Sequence, residues 1–161
     1  MDADVSADLA GLVKEAASAG RSLFIRGHGS KRFYGRPCET DAELDTRGHR
    51  GILSYDPSEL VITVRGGTPL TEVEAALEEA GQMLPFEPPR FAAESTIGGA
   101  VAAGLSGPGR PWRGAVRDVL LGVRLLDGQG NIMSFGGQVM KNVAGYDLSR
   151  LMAGALGTLG V

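Results

Sequence analysis

Apolar residues recur every three or four positions over residues 5–19, and beyond residue 20 they are more closely spaced. Over residues 5–19 the spacing predicts an amphipathic helix, and Gly20 supplies its end. Residues 22–26 are a short apolar run that enters a glycine turn directly, which predicts a buried strand. Two further strands are predicted near residues 51–55 and over residues 60–65.

A second helix is predicted to begin after these strands. Thr68 is the expected N-cap, Pro69 occupies the first helical position, and Gly81 ends the helix. The predicted inner face consists of Leu70, Val73, Ala76, Leu77 and Ala80. Strand, helix and strand in this order predict a small βαβ-like unit over residues 1–85.

The second half of the chain has a different pattern. Ser95 and Thr96 are placed to cap a short helix over residues 97–103, whose small residues leave one side nearly flat. Residues 119–127 alternate as a strand, a turn follows, and residues 131–135 return. This part is therefore predicted to contain an antiparallel hairpin.

Composition and charge narrow the class of protein. The chain has 161 residues, 43% of them apolar and 22% charged, which predicts one soluble globular domain. A net charge of -3 argues against a nucleic-acid partner. The single Cys38 excludes a cysteine-built metal site, and two histidines are too few for a histidine cluster. The absence of a long apolar run and the acidic start predict no membrane span and a cytoplasmic location.

Glycine is the residue furthest from average usage, at 25 residues. The first cluster, Arg26-Gly27-His28-Gly29-Ser30, follows a predicted strand and offers backbone N–H groups suited to a phosphate. Arg32 stands where the dinucleotide-binding fingerprint would need its third glycine, so a conventional Rossmann fold is disfavoured. A tight turn without a ligand is an equally good interpretation of this cluster.

The second cluster runs from Ser95 and Thr96 through Gly98 and Gly99. A helix N-terminus favours negative charge, and these glycines would let a ligand lie against the backbone. The alternative is close packing of the helix against a neighbouring element. Gly29 and Gly98 are both predicted to leave room for a pyrophosphate.

A third polar segment spans residues 141–148, and its chemistry favours capping of a helix that begins near Asp147 over a ligand-facing surface. His28 alone is more typical of a hydrogen-bonding loop side chain than of a catalyst. Trp112 is expected to cover an edge of the core.

The order of these segments resembles the FAD-binding domain of the vanillyl-alcohol oxidase and p-cresol methylhydroxylase family. Residues 24–30, 95–99, 117–118, 141–148 and 157–161 carry the resemblance, which covers nearly the whole chain. Within that family, residues 139–147 are most similar to the FAD-binding subunits of glycolate oxidases. The resemblance implies an α+β fold of the p-cresol methylhydroxylase type. Its two subdomains would be the small βαβ part and a larger antiparallel sheet with helices over residues 86–161.

The resemblance also implies where FAD would lie. Gly27, His28, Gly29 and Ser30, next to Arg26, would hold its pyrophosphate. Ser95, Thr96, Gly98 and Gly99 would lie along the pyrophosphate and ribityl parts, and Val161 near the adenine or ribose. Family members that bind FAD covalently have a histidine at the fifth place of the first motif, where this chain has Ser30. Noncovalent FAD is therefore expected, and no residue is assigned a catalytic role.

The implied function is oxidation of glycolate or another 2-hydroxy acid, with a second flavin subunit and an iron–sulfur subunit as partners. A location peripheral to the inner membrane, through those partners, is also open. The alternatives are a subunit that only relays electrons or holds the complex together, and another oxidase or reductase on the same fold. The apolar run over residues 154–161 predicts a truncated chain that is inactive alone and isolated largely without FAD.

Overall fold

Short helices and strands alternate along the chain in a computed structural model that describes residues 3–137 and 145–161. The helices are α1 Ser6–Ser18, α2 Leu70–Glu79, α3 Ile97–Ala103, α4 Arg110–Arg113, α5 Val116–Val119 and α6 Leu148–Met152. The strands are β1 Leu23–Arg26, β2 Ala42–Asp45, β3 Ile52–Asp56, β4 Val61–Val64, β5 Gly122–Leu126 and β6 Ile132–Gly136. This mixture of elements confirms the α+β class.

The strands pair two by two. β1 and β2 run parallel with Arg26 opposite Asp45, whereas β3 and β4 run antiparallel. β5 and β6 form the predicted antiparallel hairpin, in which Gly122 lies opposite Gly136. In the described part of the chain the antiparallel sheet of the second half is therefore two-stranded, no larger than the other two sheets.

The βαβ-like expectation is wrong in its connection. The parallel partner of β1 is β2, which was not predicted, and residues 27–41 join the two without a helix. β2 has only two apolar residues, Ala42 and Leu44, alternating with Glu43 and Asp45, so a four-residue pattern is too short to stand out. Leu44 nevertheless points into the core and is fully buried.

The core brings both halves of the chain together. α1 packs its apolar stripe against β2 and β5, in a cluster of Leu9, Ala10, Val13, Leu44 and Leu126. Full burial of one such leucine or valine stabilises the fold by about 1.5–3 kcal/mol. The predicted helix over residues 5–19 is confirmed, and Gly20 ends it at φ +63°. β1 is only half-buried, contrary to the expectation of a buried strand.

Thr68 does not cap α2, because its hydroxyl is used elsewhere. The Thr68 Oγ1 atom accepts from the Gly51 N–H at 2.9 Å and donates to the Arg65 carbonyl at 2.7 Å. Pro69 is the residue at the N-cap position and makes no side-chain cap. The buried face of α2 is Leu70, Val73 and Leu77, so Ala76 and Ala80 lie outside it.

The remaining predicted elements have clear outcomes. Thr96 caps α3 as predicted, accepting from the Gly99 N–H at 3.2 Å. The strand expected to start at residue 119 begins at Gly122, because α5 occupies residues 116–119. The Asp147 carboxylate caps α6 by accepting from the Arg150 N–H at 3.0 Å.

One further expectation is wrong, and another falls on residues that the structure does not describe. Trp112 is 85% exposed, so the expectation that it covers a core edge is wrong. Residues 141–144, the first half of the third polar segment, lie outside the described residues. Within the described ranges, no helix is long and apolar enough to cross a membrane.

Candidate functional site

The two glycine clusters that lie far apart in sequence meet in the fold. We call residues 26–30 the first glycine segment and residues 95–99 the second glycine segment. A Cβ atom added at Gly27 would lie 2.6 Å from the Thr96 Oγ1 atom. The Ser30 and Ser95 hydroxyls lie 3.0 Å apart, at hydrogen-bonding distance. The segments therefore form one surface, with Gly27 required for their close approach.

Three backbone donors of the first glycine segment have no acceptor in the part of the chain that the structure describes. The N–H groups of His28, Gly29 and Ser30 donate to no group within the described parts of the chain. Gly29 has φ +73°, a conformation in which any other residue is strained. Consecutive N–H groups around a left-handed residue form a concavity that binds an anion. This segment can therefore receive a phosphate group.

Lys31 continues this row of donors with a charge. Its side chain is partly buried, and burial lowers the pKa of the Lys31 ammonium below its usual range. It forms no ion pair with a carboxylate of residues 3–137 or 145–161. An anion bound at residues 28–30 would compensate this half-buried charge. Sequence reasoning missed Lys31, although a cation directly after the glycines was a usable signal.

The second glycine segment has its donors occupied by protein groups. The Ile97 N–H donates to the Thr68 carbonyl and the Gly98 N–H to the Gly66 carbonyl, each at 2.9 Å. A Cβ atom at Gly98 would lie 2.7 Å from the Gly66 oxygen. These contacts agree with the close-packing alternative for Gly98. A ligand here would instead meet the Thr96 side chain, which lines the neighbouring cleft.

A charged cleft of about 360 Å³ opens beside the first glycine segment. It is lined by His28, Asp45, Arg47, Gly48, Arg50, Gly67, Pro69, Glu94 and Thr96. The His28 Nε2 atom lies 3.0 Å from the Glu94 carboxylate, which joins the segment before Ser95 to the first glycine segment. The cleft thus offers carboxylates, guanidinium groups and a hydroxyl, groups that recognise sugar hydroxyls and phosphates.

The arginines of the cleft are already paired with carboxylates. The Arg47 Nε atom donates to both oxygens of Asp45, at 3.0 and 2.9 Å. These hydrogen bonds lower the pKa of the Asp45 carboxyl and raise that of the Arg47 guanidinium. Arg50 forms a similar pair with Glu72, at 2.9 and 2.6 Å. The pairs fix the positions of the guanidinium groups at the edge of the cleft.

Arg26 and Val161 take positions at the edge of this arrangement. The Arg26 guanidinium lies 3.1 Å from Glu43 and 3.6 Å from Asp45, so it binds the carboxylates of β2. The Val161 N–H and carbonyl pair with Leu126 at 2.9 and 2.8 Å, and its side chain packs on the core cluster. Val161 is not among the residues that line the cleft.

Arg47, Arg50 and Glu94 are site residues that sequence reasoning did not find. Arg47 and Arg50 follow β2 directly, and their place could not be read while β2 itself was missed. Glu94 precedes the second glycine segment by one residue, and only its contact with His28 brings it to the cleft.

The chain is similar in sequence to a family model and to several known proteins. A family model described as an FAD binding domain matches residues 3–136. The glycolate oxidase subunit GlcE of Escherichia coli strain K12 is 59% identical over 160 residues, covering 99% of this chain and 45% of that protein. The glycolate oxidase subunit GlcD of Bacillus subtilis strain 168 is 34% identical over 138 residues, covering 84% of this chain and 29% of that protein.

A D-2-hydroxyglutarate dehydrogenase of Xanthomonas citri pv. viticola is 32% identical over 111 residues, covering 68% of this chain and 23% of that protein. The chain thus spans less than half the length of each of these three relatives.

Proposed function

The chain belongs to the family of FAD-binding domains, and on that premise we propose that it is the FAD-binding part of a glycolate oxidase subunit. The substrate would be glycolate or another 2-hydroxy acid. The observation that carries the proposal is the row of three backbone N–H groups at residues 28–30 that donate to no group of residues 3–137 or 145–161, followed by the half-buried cation of Lys31. Together they fit the pyrophosphate of FAD.

Some of the described residues would contact FAD directly, through backbone N–H groups, a cation and polar side chains. His28, Gly29 and Ser30 would donate to the pyrophosphate, while Lys31 would balance its charge. The Thr96 hydroxyl and the charged cleft would receive the hydroxyl-bearing parts of the cofactor. When bound, FAD supplies the hydride acceptor for oxidation of the alcohol carbon.

The other predicted site residues would support the site. Gly27 lets the two segments approach each other, and Ser95 contacts Ser30. Gly98 lets the second segment pack against Gly66, and Gly99 leaves room for the Thr96 hydroxyl that caps α3. Arg26 would orient β1 against β2, and Val161 would hold the last residues against β5. No catalytic residue is proposed within this chain.

FAD is proposed to be bound without a covalent link. Ser30 stands at the fifth place of the first motif, and its hydroxyl contacts Ser95. A serine hydroxyl there lacks the nucleophilic nitrogen of an imidazole. Acid precipitation of the flavin-loaded full-length protein should leave the yellow colour in the supernatant. Colour retained in the washed, denatured pellet would contradict this proposal.

The proposed partners are the other subunits of a glycolate oxidase, namely a second flavin subunit and an iron–sulfur subunit. The protein would lie in the cytoplasm, or at the membrane surface if these partners hold it there. One of these subunits would accept the electrons of the oxidation. A second candidate function is electron relay or assembly without substrate oxidation. It is favoured by the lack of an unpaired acid or base in the cleft among the described residues, since His28 pairs with Glu94 and Asp45 with Arg47.

Anaerobic addition of glycolate to the isolated, FAD-loaded full-length subunit separates the two functions. Bleaching of the flavin absorbance is the result expected for the oxidising subunit. If glycolate leaves the flavin oxidised in the isolated subunit but reduces it after the second flavin subunit is added, the relay function is correct. A full-length subunit that binds no FAD would refute both substrate oxidation and electron relay by this subunit.

A further inference from the structure

Two aromatic side chains stand exposed next to the contact between the glycine segments. Phe33 is 66% exposed and Phe91 is 49% exposed, and their rings pack edge to face with centroids 4.8 Å apart. Phe33 follows Ser30 by three residues, and Phe91 precedes Ser95 by four. Because the Ser30 and Ser95 hydroxyls contact each other, the two rings are held near the free N–H groups of residues 28–30.

An exposed aromatic pair of this kind is a binding surface for a planar group. An edge-to-face pair presents the face of one ring at a right angle to the other, so a third ring can stack on one and meet the edge of the second. Neighbouring Tyr34 is also exposed, at 44% of its surface, which enlarges the apolar area. Contiguous apolar surface of this type marks interaction sites on soluble proteins.

We infer that Phe33 and Phe91 form the surface on which the isoalloxazine ring of FAD stacks. The inference rests on the proposed function, because it takes the pyrophosphate to lie at residues 28–30. Three residues span at most roughly 10 Å, so Phe33 lies within reach of a ring joined to that pyrophosphate through the ribityl chain. The pair therefore extends the anion site into a site for the whole flavin end of the cofactor.

The adenosine end of FAD fits the other side of the glycine segments better, in the charged cleft and not beside Val161, where the family resemblance implied the adenine. The cleft beside His28 and Thr96 is lined by Asp45, Arg47 and Glu94. Those polar groups suit ribose hydroxyls and the hydrogen-bonding edge of adenine. The apolar Phe33 and Phe91 rings suit the dimethylbenzene part of the isoalloxazine, which has no hydrogen-bonding group. Each end of FAD then meets a surface of matching polarity.

The test uses the full-length subunit with Phe33→Leu, Phe91→Leu and the double variant, beside Phe33→Tyr as the conservative change. Trp112→Leu is the matched control, since it removes another exposed aromatic ring outside the pair. The readouts are the FAD dissociation constant of the apoprotein and the visible absorbance and circular dichroism of bound flavin. Thermal unfolding of each variant confirms that it is folded, as expected for substitutions of exposed side chains.

We expect each leucine variant to weaken FAD binding by about five- to a hundredfold, the range of single ring-stacking contacts. The visible circular dichroism of the flavin should change with it, while Phe33→Tyr and Trp112→Leu remain close to wild type. Weaker binding with an unchanged flavin spectrum would place adenine on the pair and overturn the inference. Unchanged affinity and spectra in both leucine variants would overturn it while leaving FAD binding intact. Absence of FAD binding in the wild type would refute the proposed function and this inference together.

Discussion

Gly98 is the position at which the structure changes the expected effect of a substitution most. The sequence predicts that Gly98 makes room for FAD, so a larger residue there should act mainly on binding. In the fold, a Cβ atom at Gly98 would lie 2.7 Å from the Gly66 oxygen and 3.0 Å from the Gly66 Cα atom. Both are backbone atoms, which cannot move aside as a flexible side chain can. Gly98→Ala should therefore lower the stability of the fold.

The size of this effect follows from three contributions. Forcing one methyl group into a packed contact costs about 1–3 kcal/mol. Weakening the hydrogen bond from Gly98 N–H to Gly66 costs about 1 kcal/mol more. Alanine in place of glycine within a helix returns up to about 1 kcal/mol. The net expectation is a loss of about 2 kcal/mol in the free energy of unfolding.

Urea unfolding of the 161-residue chain, followed by circular dichroism, measures this loss as a lower midpoint at an unchanged slope. Gly11→Ala is the matched control, because Gly11 lies on α1 and a Cβ atom there meets nothing within 4 Å. It should stabilise the chain by up to about 1 kcal/mol. If Gly98→Ala unfolds within about 0.5 kcal/mol of wild type and the same substitution abolishes FAD binding by the full-length protein, the packing explanation is refuted.

Three further predictions test other parts of the structure. Thr68→Val should lower the free energy of unfolding by about 1–3 kcal/mol, because it leaves the Gly51 N–H and the Arg65 carbonyl without their partner. Thr68→Ser should retain most of the stability. Equal unfolding midpoints for Thr68→Val and wild type would contradict a stabilising role of the Thr68 hydroxyl. Lys31→Gln should weaken FAD binding to the full-length protein about tenfold and reduce the salt dependence of that binding, measured by fluorescence titration. Lys14→Gln, on the exposed face of α1, should change neither. Equal affinities of the two variants would exclude Lys31 from the anion site. Burial lowers the pKa of His49 below 6.5, so its contribution to stability is present above that pH and is lost as the pH falls towards the lower folded-state pKa; His49→Gln should flatten this part of the stability–pH curve, and an unchanged curve would contradict it.

Local patterns determined the elements whose signal lies within a few residues. The helix at α1, the cap of α3 by Thr96 and the hairpin of β5 and β6 could all be predicted, because spacing, capping and turn residues act over short distances. β2 could not be predicted, because an alternation of apolar and polar residues over four positions is too short to recognise. The stability of this strand comes from its pairing with β1 and from the burial of Leu44. With β2 missed, a helix was wrongly expected between two parallel strands.

The sequence by itself also determined the family of the chain and the two segments on which the proposed FAD site depends. Only the tertiary structure decided how those segments divide their roles. The N–H groups of residues 28–30 have no acceptor among the described residues, whereas Gly98 donates to Gly66 and packs against it. Both segments are glycine-rich, and glycine suits ligand approach and backbone packing equally well. Which of the two occurs depends on the neighbour that folding brings to that glycine, and here the neighbour is a residue more than thirty positions away.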